Sequence, residues 1–239
     1  MTDKLTEPKG TYLRVVEYIK QEIRSGRLKI GSQLPAERTL AEQLDVSRNS
    51  VREAIRVMEI MGTLVSVQGA GHYVANNFEN LLVESMSMMF MLKELSFSEI
   101  SQLRLALERQ ALSLAVENAG DEDLAVFSEI DAKLDRGVLS EHENVALDKR
   151  LHYTIAKASG NTIISDILEA LSEVMDRFIA DLRSDIMSED ERKEKLTKAH
   201  RRMVAAIKDK NLPDGLAAID EHFALIDERL KVRSKNITF

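Results

Sequence analysis

The chain has 239 residues, of which 44% are hydrophobic and 31% charged, with a formal net charge of -7 and no cysteine. That length and apolar content support one large or two ordinary domains and exclude a predominantly disordered chain, while the missing cysteines exclude disulfides, thiolate metal sites and a cysteine nucleophile. Charge is spread unevenly: residues 1–77 carry 11 Lys and Arg against 9 Asp and Glu, net +2, and residues 78–239 carry 22 against 31, net -9. A positive module on an acidic body suits a protein that brings only one end to a phosphate backbone.

Asp3, Lys4, Glu7 and Lys9 stand where a signal peptide would need an apolar run. From Thr11 to Ser25, Leu13, Val16, Tyr18, Ile19 and Ile23 recur at helical spacing, which predicts a first helix ended by Gly26. Ser32-Gln33-Leu34 is extended ahead of Pro35, and a second helix follows over Ala36 to Leu44. Asp45-Val46 makes a turn, after which Ser47 can cap a third helix whose apolar stripe is Val51, Ala54, Ile55 and Met58. Leu64–Val67 and His72–Val74 are β-prone runs separated by Gln68-Gly69-Ala70-Gly71, a predicted hairpin. This order of elements is a winged helix-turn-helix, with the cationic and hydrogen-bonding start of its third helix free to enter a DNA groove.

The segments LPAER (34–38) and VSRNSVREAI (46–55) and the glycine-rich wing resemble the GntR family of bacterial transcription regulators. That resemblance implies that Arg38 reaches a phosphate or base edge and that Arg48 and Arg52 approach guanines in the major groove. It further implies that Ser47, Asn49 and Ser50 fix the DNA backbone and that Gln68 and Gly69 enter the minor groove. A guanidinium matches the O6/N7 edge of guanine with two hydrogen bonds. Read without the resemblance, Arg38 is more readily a solvated charge paired with Glu37 or Glu42.

Asn76-Asn77 closes this first domain, expected as residues 1–77, and residues 78–239 read as an all-α bundle of six or seven helices. Its expected boundaries are Ser96, Gly120, Gly137, Gly160 and Leu212-Pro213. Leu81 to Leu95 is too short to span a bilayer and is broken by Glu84, Ser85 and Ser87, so a cytoplasmic protein without a membrane partner is expected. In the same helix Met86, Met88, Met89, Phe90 and Met91 read as core or subunit interface, or as an adaptable ligand surface.

Asp148 precedes His152 by one helical turn, which puts carboxylate and imidazole on one face. His200 and His222 lie on two further helices, each beside aliphatic positions. Any one of them is unexceptional. Three imidazoles and a carboxylate converging in a bundle would suit Zn, Ni, Mn or Fe. The second half of the chain resembles the FCD effector domain of the FadR-like branch of the GntR family, in which an Asp-x3-His helix and two later histidines hold a metal; Asp148, His152, His200 and His222 match that set, with Zn the first choice. Sensing by coordination would follow, with a small carboxylate as effector. Arg104 is its candidate clamp, on a helix whose Leu103, Leu107 and Ala111 are expected to face the core; the alternative is a solvated Arg104 paired with Glu108. Asn161 either hydrogen-bonds the effector or caps a helix.

These residues predict a homodimeric, non-enzymatic regulator on a palindromic operator, because one recognition helix reads too few base pairs alone. Two rivals are a regulator that senses an acyl-CoA without metal and a metal-dependent hydrolase, the latter lacking an evident general base.

Overall fold

The computed structural model describes residues 10–93, 96–136, 140–187 and 190–233, and these form ten helices and one two-stranded sheet. Two units, Met1–Glu84 and Ser85–Phe239, are each held together by their own contacts.

In the first unit α1 (Thr11–Arg24), α2 (Glu37–Leu44) and α3 (Arg48–Ile60) precede β1 (Leu64–Val67) and β2 (Gly71–Val74). α1 buries Val15, Val16 and Ile19; Leu13, from the expected stripe, is 37% exposed, because the face that meets α3 lies beside it. α2 stops at Asp45, which takes the left-handed φ of 50°, so that Val46 N–H turns back to the Ala41 carbonyl at 3.0 Å. Ser47 then opens α3, its Oγ accepting Ser50 N–H at 3.1 Å. Burial of Ile19, Leu40, Ile55 and Met58 contributes about 1.5–3 kcal/mol per side chain, so packing rather than intrinsic propensity holds these short helices.

After α3 the chain reverses at Gly62, whose φ is +69°. A Cβ there would stand 2.1 Å from the Asn77 carbonyl oxygen, so only glycine fits. β1 and β2 pair antiparallel from Leu64 opposite Val74 to Val67 opposite Gly71. The outer edge of β2 is closed by the extended segment 31–34: Leu34 N–H donates to His72 O at 2.8 Å and Val74 N–H to Ser32 O at 2.9 Å.

The rest is helical: α4 (Phe78–Lys93), α5 (Phe97–Asn118), α6 (Asp121–Arg136), α7 (Glu141–Ala158), α8 (Thr162–Met187), α9 (Asp190–Lys208) and α10 (Leu212–Arg233). The division between the units falls inside α4. Expected boundaries at Ser96, Gly120, Gly160 and Leu212-Pro213 lie at helix ends, and Gly137 lies outside the described residues. Residues 188 and 189, between α8 and α9, lie outside the described residues. α5 and α7 open alike, with capping boxes at Ser96 with Glu99 and at Ser140 with Glu143. They run parallel, for Asn118 at the end of α5 donates to the Ser159 carbonyl at the end of α7 at 2.9 Å. α10 packs along α9 and α5, α5 along α7, and α7 along α8, around fully buried Leu112, Leu151, Leu171, Met203 and Phe223.

Two expectations are corrected. On α4 the buried side chains are Val83, Ser87 and Phe90, while Met88, Met89 and Met91 are exposed and so are not core of this chain. On α5 Leu103 is exposed, and the buried face carries Ile100, Arg104, Glu108, Ala111 and Leu112: it buries a charged pair where an aliphatic stripe was expected. Among the described residues no helix is long and apolar enough to cross a membrane.

Candidate metal centre and DNA-reading surface

In the first unit, α3 presents Arg48, Asn49 and Arg52 on its exposed side, with Ser50 half-buried behind them. Ser47 and Ser50 are joined by their hydroxyls at 3.0 Å and by the N-cap bond, so both are spent first on shaping the helix start. Arg52 Nε donates to Glu37 Oε2 at 2.7 Å, and Arg48 Nη2 lies 3.9 Å from the same oxygen. Arg38 is exposed and stands 3.6 Å from Glu42, the pairing weighed as its plain alternative. Gln68 and Gly69 are exposed at the tip of the wing, where the φ of +75° at Gly69 turns the hairpin.

In the second unit, Asp148 and His152 on α7, His200 on α9 and His222 on α10 each offer a ligand atom, all within 4.8 Å of one another. Asp148 Oδ1 is 3.2 Å from His200 Nε2 and 3.6 Å from His152 Nε2, and His200 Nε2 is 3.1 Å from His222 Nδ1. Donor atoms bonded at about 2.0–2.2 Å to one ion stand roughly 3–4 Å apart, so these separations fit a single cation. The three rings are buried, and His152 Nε2 has no hydrogen-bond partner although it faces the cluster. A buried nitrogen left without a partner is expensive unless something binds it. The donor set and the orphaned nitrogen both fit a transition metal.

Behind His152 lies a residue that sequence reasoning treated only as a partner of Arg104. Glu108 on α5, 3% exposed, places Oε2 2.5 Å from His152 Nδ1, close but not aligned as a hydrogen bond. Its Oε1 accepts Arg104 Nε at 2.9 Å and Nη2 at 2.6 Å. Arg104 is therefore neither solvated nor free: it is 5% exposed, tied to Glu108, and set 5.7 Å from the Phe223 ring centre. Burial raises the Glu108 carboxyl, but the Arg104 charge and His152 outweigh it and hold the group down at about 2. Burial lowers His152, yet Glu108 and Asp148 overcome it and lift the ring to about 9. Burial, then the neighbouring His152 and His200, push His222 well below the usual histidine range. With its pKa raised to about 9 the His152 ring carries a proton at neutral pH, and that charge together with the Arg104 guanidinium balances the Glu108 and Asp148 carboxylates; a bound cation would take the place of the proton.

A cavity of about 340 Å³ opens between α7 and α8 and reaches the cluster at His152 and Glu108, with Lys149, Arg150 and Tyr153 on one wall and Ser165, Glu169 and Asp176 on the other. Asn161 is exposed and is not among its lining residues; its Oδ1 accepts Ile164 N–H at 3.1 Å and so caps α8.

Residues 99–225 match the FCD domain, and residues 11–74 match the bacterial regulatory proteins of the gntR family. The chain belongs to the GntR family and carries an FCD domain. Over 225 residues this GntR regulator is 27% identical to the Uxu operon regulator of Haemophilus influenzae, covering 93% of the chain and 81% of that protein. It is 26% identical over 211 residues to the HTH-type transcriptional regulator LutR of Bacillus subtilis, covering 87% and 95%. A solved Streptococcus agalactiae GntR, 22% identical, shares the fold with a TM-score of 0.63 over 91% of this chain and 99% of that one. The protein is a DNA-binding transcription regulator with an FCD effector domain.

Glu108 is the buried residue beside the cluster that the sequence brings in only as the partner of Arg104. Its only signal was the buried-face spacing with Arg104, four residues earlier, and that spacing is shared by any solvent-exposed helical ion pair.

Proposed function

We propose that this GntR regulator is a cytoplasmic homodimer in which residues 1–77 read a palindromic operator and residues 78–239 sense a small organic acid at a metal centre. The observation that carries the reading is the buried convergence of Asp148, His152, His200 and His222, with His152 Nε2 facing the cluster and making no hydrogen bond. Those four side chains would hold the cation, Zn before Ni, Mn or Fe, and it would supply open coordination positions for carboxylate oxygens. Glu108 keeps the His152 ring turned so that Nε2 faces the cluster, as a carboxylate behind a ligating imidazole does. Arg104, neutralised by Glu108, holds a guanidinium within the same buried site, and its remaining donors are suited to a second acid oxygen. Arg38, Arg48 and Arg52 with Ser47, Asn49 and Ser50 would meet the major groove and its phosphates, and Gln68 and Gly69 the minor groove.

The acid can change operator affinity only through a difference in its own affinity for two arrangements of the dimer. The test is metal content of the purified protein together with its thermal shift and operator binding across hydroxy acids, sugar acids and dicarboxylates. Stoichiometric metal, lost in His152→Ala along with the response to an acid, is expected. A metal-free protein whose response to an acid survives His152→Ala overturns the reading. The two named relatives are regulators, which leaves the hydrolase alternative without support, and a metal-ligand set intact in four positions weighs against an acyl-CoA sensor.

A further inference from the structure

Glu37 is the first residue of α2, outside the recognition helix, and the proposed DNA contacts give it no role. Its side chain is 22% exposed and stands between three groups. Oε2 accepts Arg52 Nε–H at 2.7 Å and lies 3.9 Å from Arg48 Nη2, while Oε1 lies 3.8 Å from Nε2 of His72 on the wing. His72 is held in turn at Nδ1 by Ser66 Oγ at 2.7 Å, and the same hydroxyl is bonded to Glu59 on α3. A lone surface ion pair is a weak constraint, because both side chains rotate freely. This carboxylate is shielded and shared: two guanidiniums one turn apart on α3 converge on one oxygen, and the wing faces the other.

The consequence lies in the donor geometry. Arginine carries five N–H donors in a fixed plane, and guanine takes two of them on its O6/N7 edge. With Nε committed to Glu37 the plane of Arg52 is set before DNA arrives, and the terminal nitrogens remain for a base. The charge of Glu37 also repels phosphate, so it weakens sequence-independent binding while it orders the reader of sequence. We infer that Glu37 is a positioning residue for specific DNA reading: it fixes the Arg52 guanidinium, with Arg48 beside it. This rests on Arg52 being a DNA-reading residue.

The experiment uses the full-length protein, a duplex that it selects from a random pool, and a scrambled duplex of the same composition at the same salt. Glu37→Gln and Glu37→Ala are expected to weaken the selected duplex by about ten-fold, the worth of one oriented guanine contact, while the scrambled duplex binds as well or tighter. In the free protein, exchange of the Arg52 Nε–H with solvent, followed by NMR, is expected to quicken in both variants. Where Glu37→Ala lowers the thermal midpoint, the isosteric Glu37→Gln carries the test. Parallel tightening on both duplexes would show a repelling charge only and overturns the inference, as does a specificity ratio within about two-fold of the parent, inside the scatter of independent sites. Arg52→Ala separates the two readings. If it leaves the ratio unchanged, Arg52 does not read DNA; if it collapses the ratio while the Glu37 variants keep it, only the positioning role fails.

Discussion

Glu108→Gln keeps the side-chain volume and removes one buried charge, and the two oxygens of Glu108 make its consequences separable. On one side Oε1 holds Arg104 through contacts of 2.6 and 2.9 Å, an attraction of about 6 kcal/mol at an effective permittivity near 20, before desolvation is charged against it. Arg104 is 5% exposed, so the variant leaves a buried guanidinium without its carboxylate, and removing one partner of a buried pair destabilises by about 3–5 kcal/mol. On the other side Oε2 lies 2.5 Å from His152 Nδ1. A glutamine carbonyl can still face that nitrogen but lends the ring less basicity, and losing such a carboxylate lowers metal affinity by about 10–100-fold, or about 1.4–2.7 kcal/mol. Denaturant unfolding of the metal-stripped protein reads the first effect, and competition with a chelator of known affinity reads the second. A variant whose unfolding free energy stays within about 1 kcal/mol and whose metal affinity stays within about three-fold would refute both halves of the reasoning.

Two further outcomes follow from the same coordinates. In metal-free protein the His152 pKa is raised from 6.5 to about 9, so its contribution to stability is complete below pH 6.5 and is lost as pH rises through about 9. Thermal midpoints of stripped protein should fall across that window, and apparent metal affinity should rise by up to about ten-fold per pH unit until about pH 9, because the cation must displace that proton; flat profiles of both would contradict it. Gly62→Ala forces a side chain to φ +69° with its Cβ 2.1 Å from the Asn77 carbonyl oxygen. Left-handed strain alone is about 1–3 kcal/mol, so urea unfolding should show the variant destabilised by more than about 2 kcal/mol, and an unshifted midpoint would show that the turn relaxes freely.

Much of this was legible because local chemistry and tertiary packing agree. Ser47 is both the residue type that caps a helix and the residue that does so, and Gly69 sits where a hairpin must turn. Asp148 and His152 are neighbours by helical spacing alone, and His200 and His222 join them because their helices pack with α5 and α7 around one core. What periodicity missed is polar burial. The hydrophobic pattern assigned Leu103 inward, yet Arg104 and Glu108 take that place, since each neutralises the other and the buried pair then serves His152. Nor does an apolar pattern tell core from exposed surface, and of the alternatives open for Met88, Met89 and Met91 their exposure removes only the core. Asn161 follows Gly160, where a helix N-cap is expected, and it does cap α8.

The matched capping boxes of α5 and α7 act as a common origin for counting. Twelve residues separate Ser96 from Glu108, and twelve separate Ser140 from His152, so the two side chains that meet lie at equal depth, about 18 Å along parallel helices. One residue inserted between cap and site in either helix would slide its side chain by about 1.5 Å and swing it by about 100°, turning His152 from its carboxylate or Glu108 from the ring. Substitutions in these two stretches are therefore open to compensation one at a time, whereas a change of length in either helix is not, because an equal change in the other would restore the depth but swing both side chains away from each other.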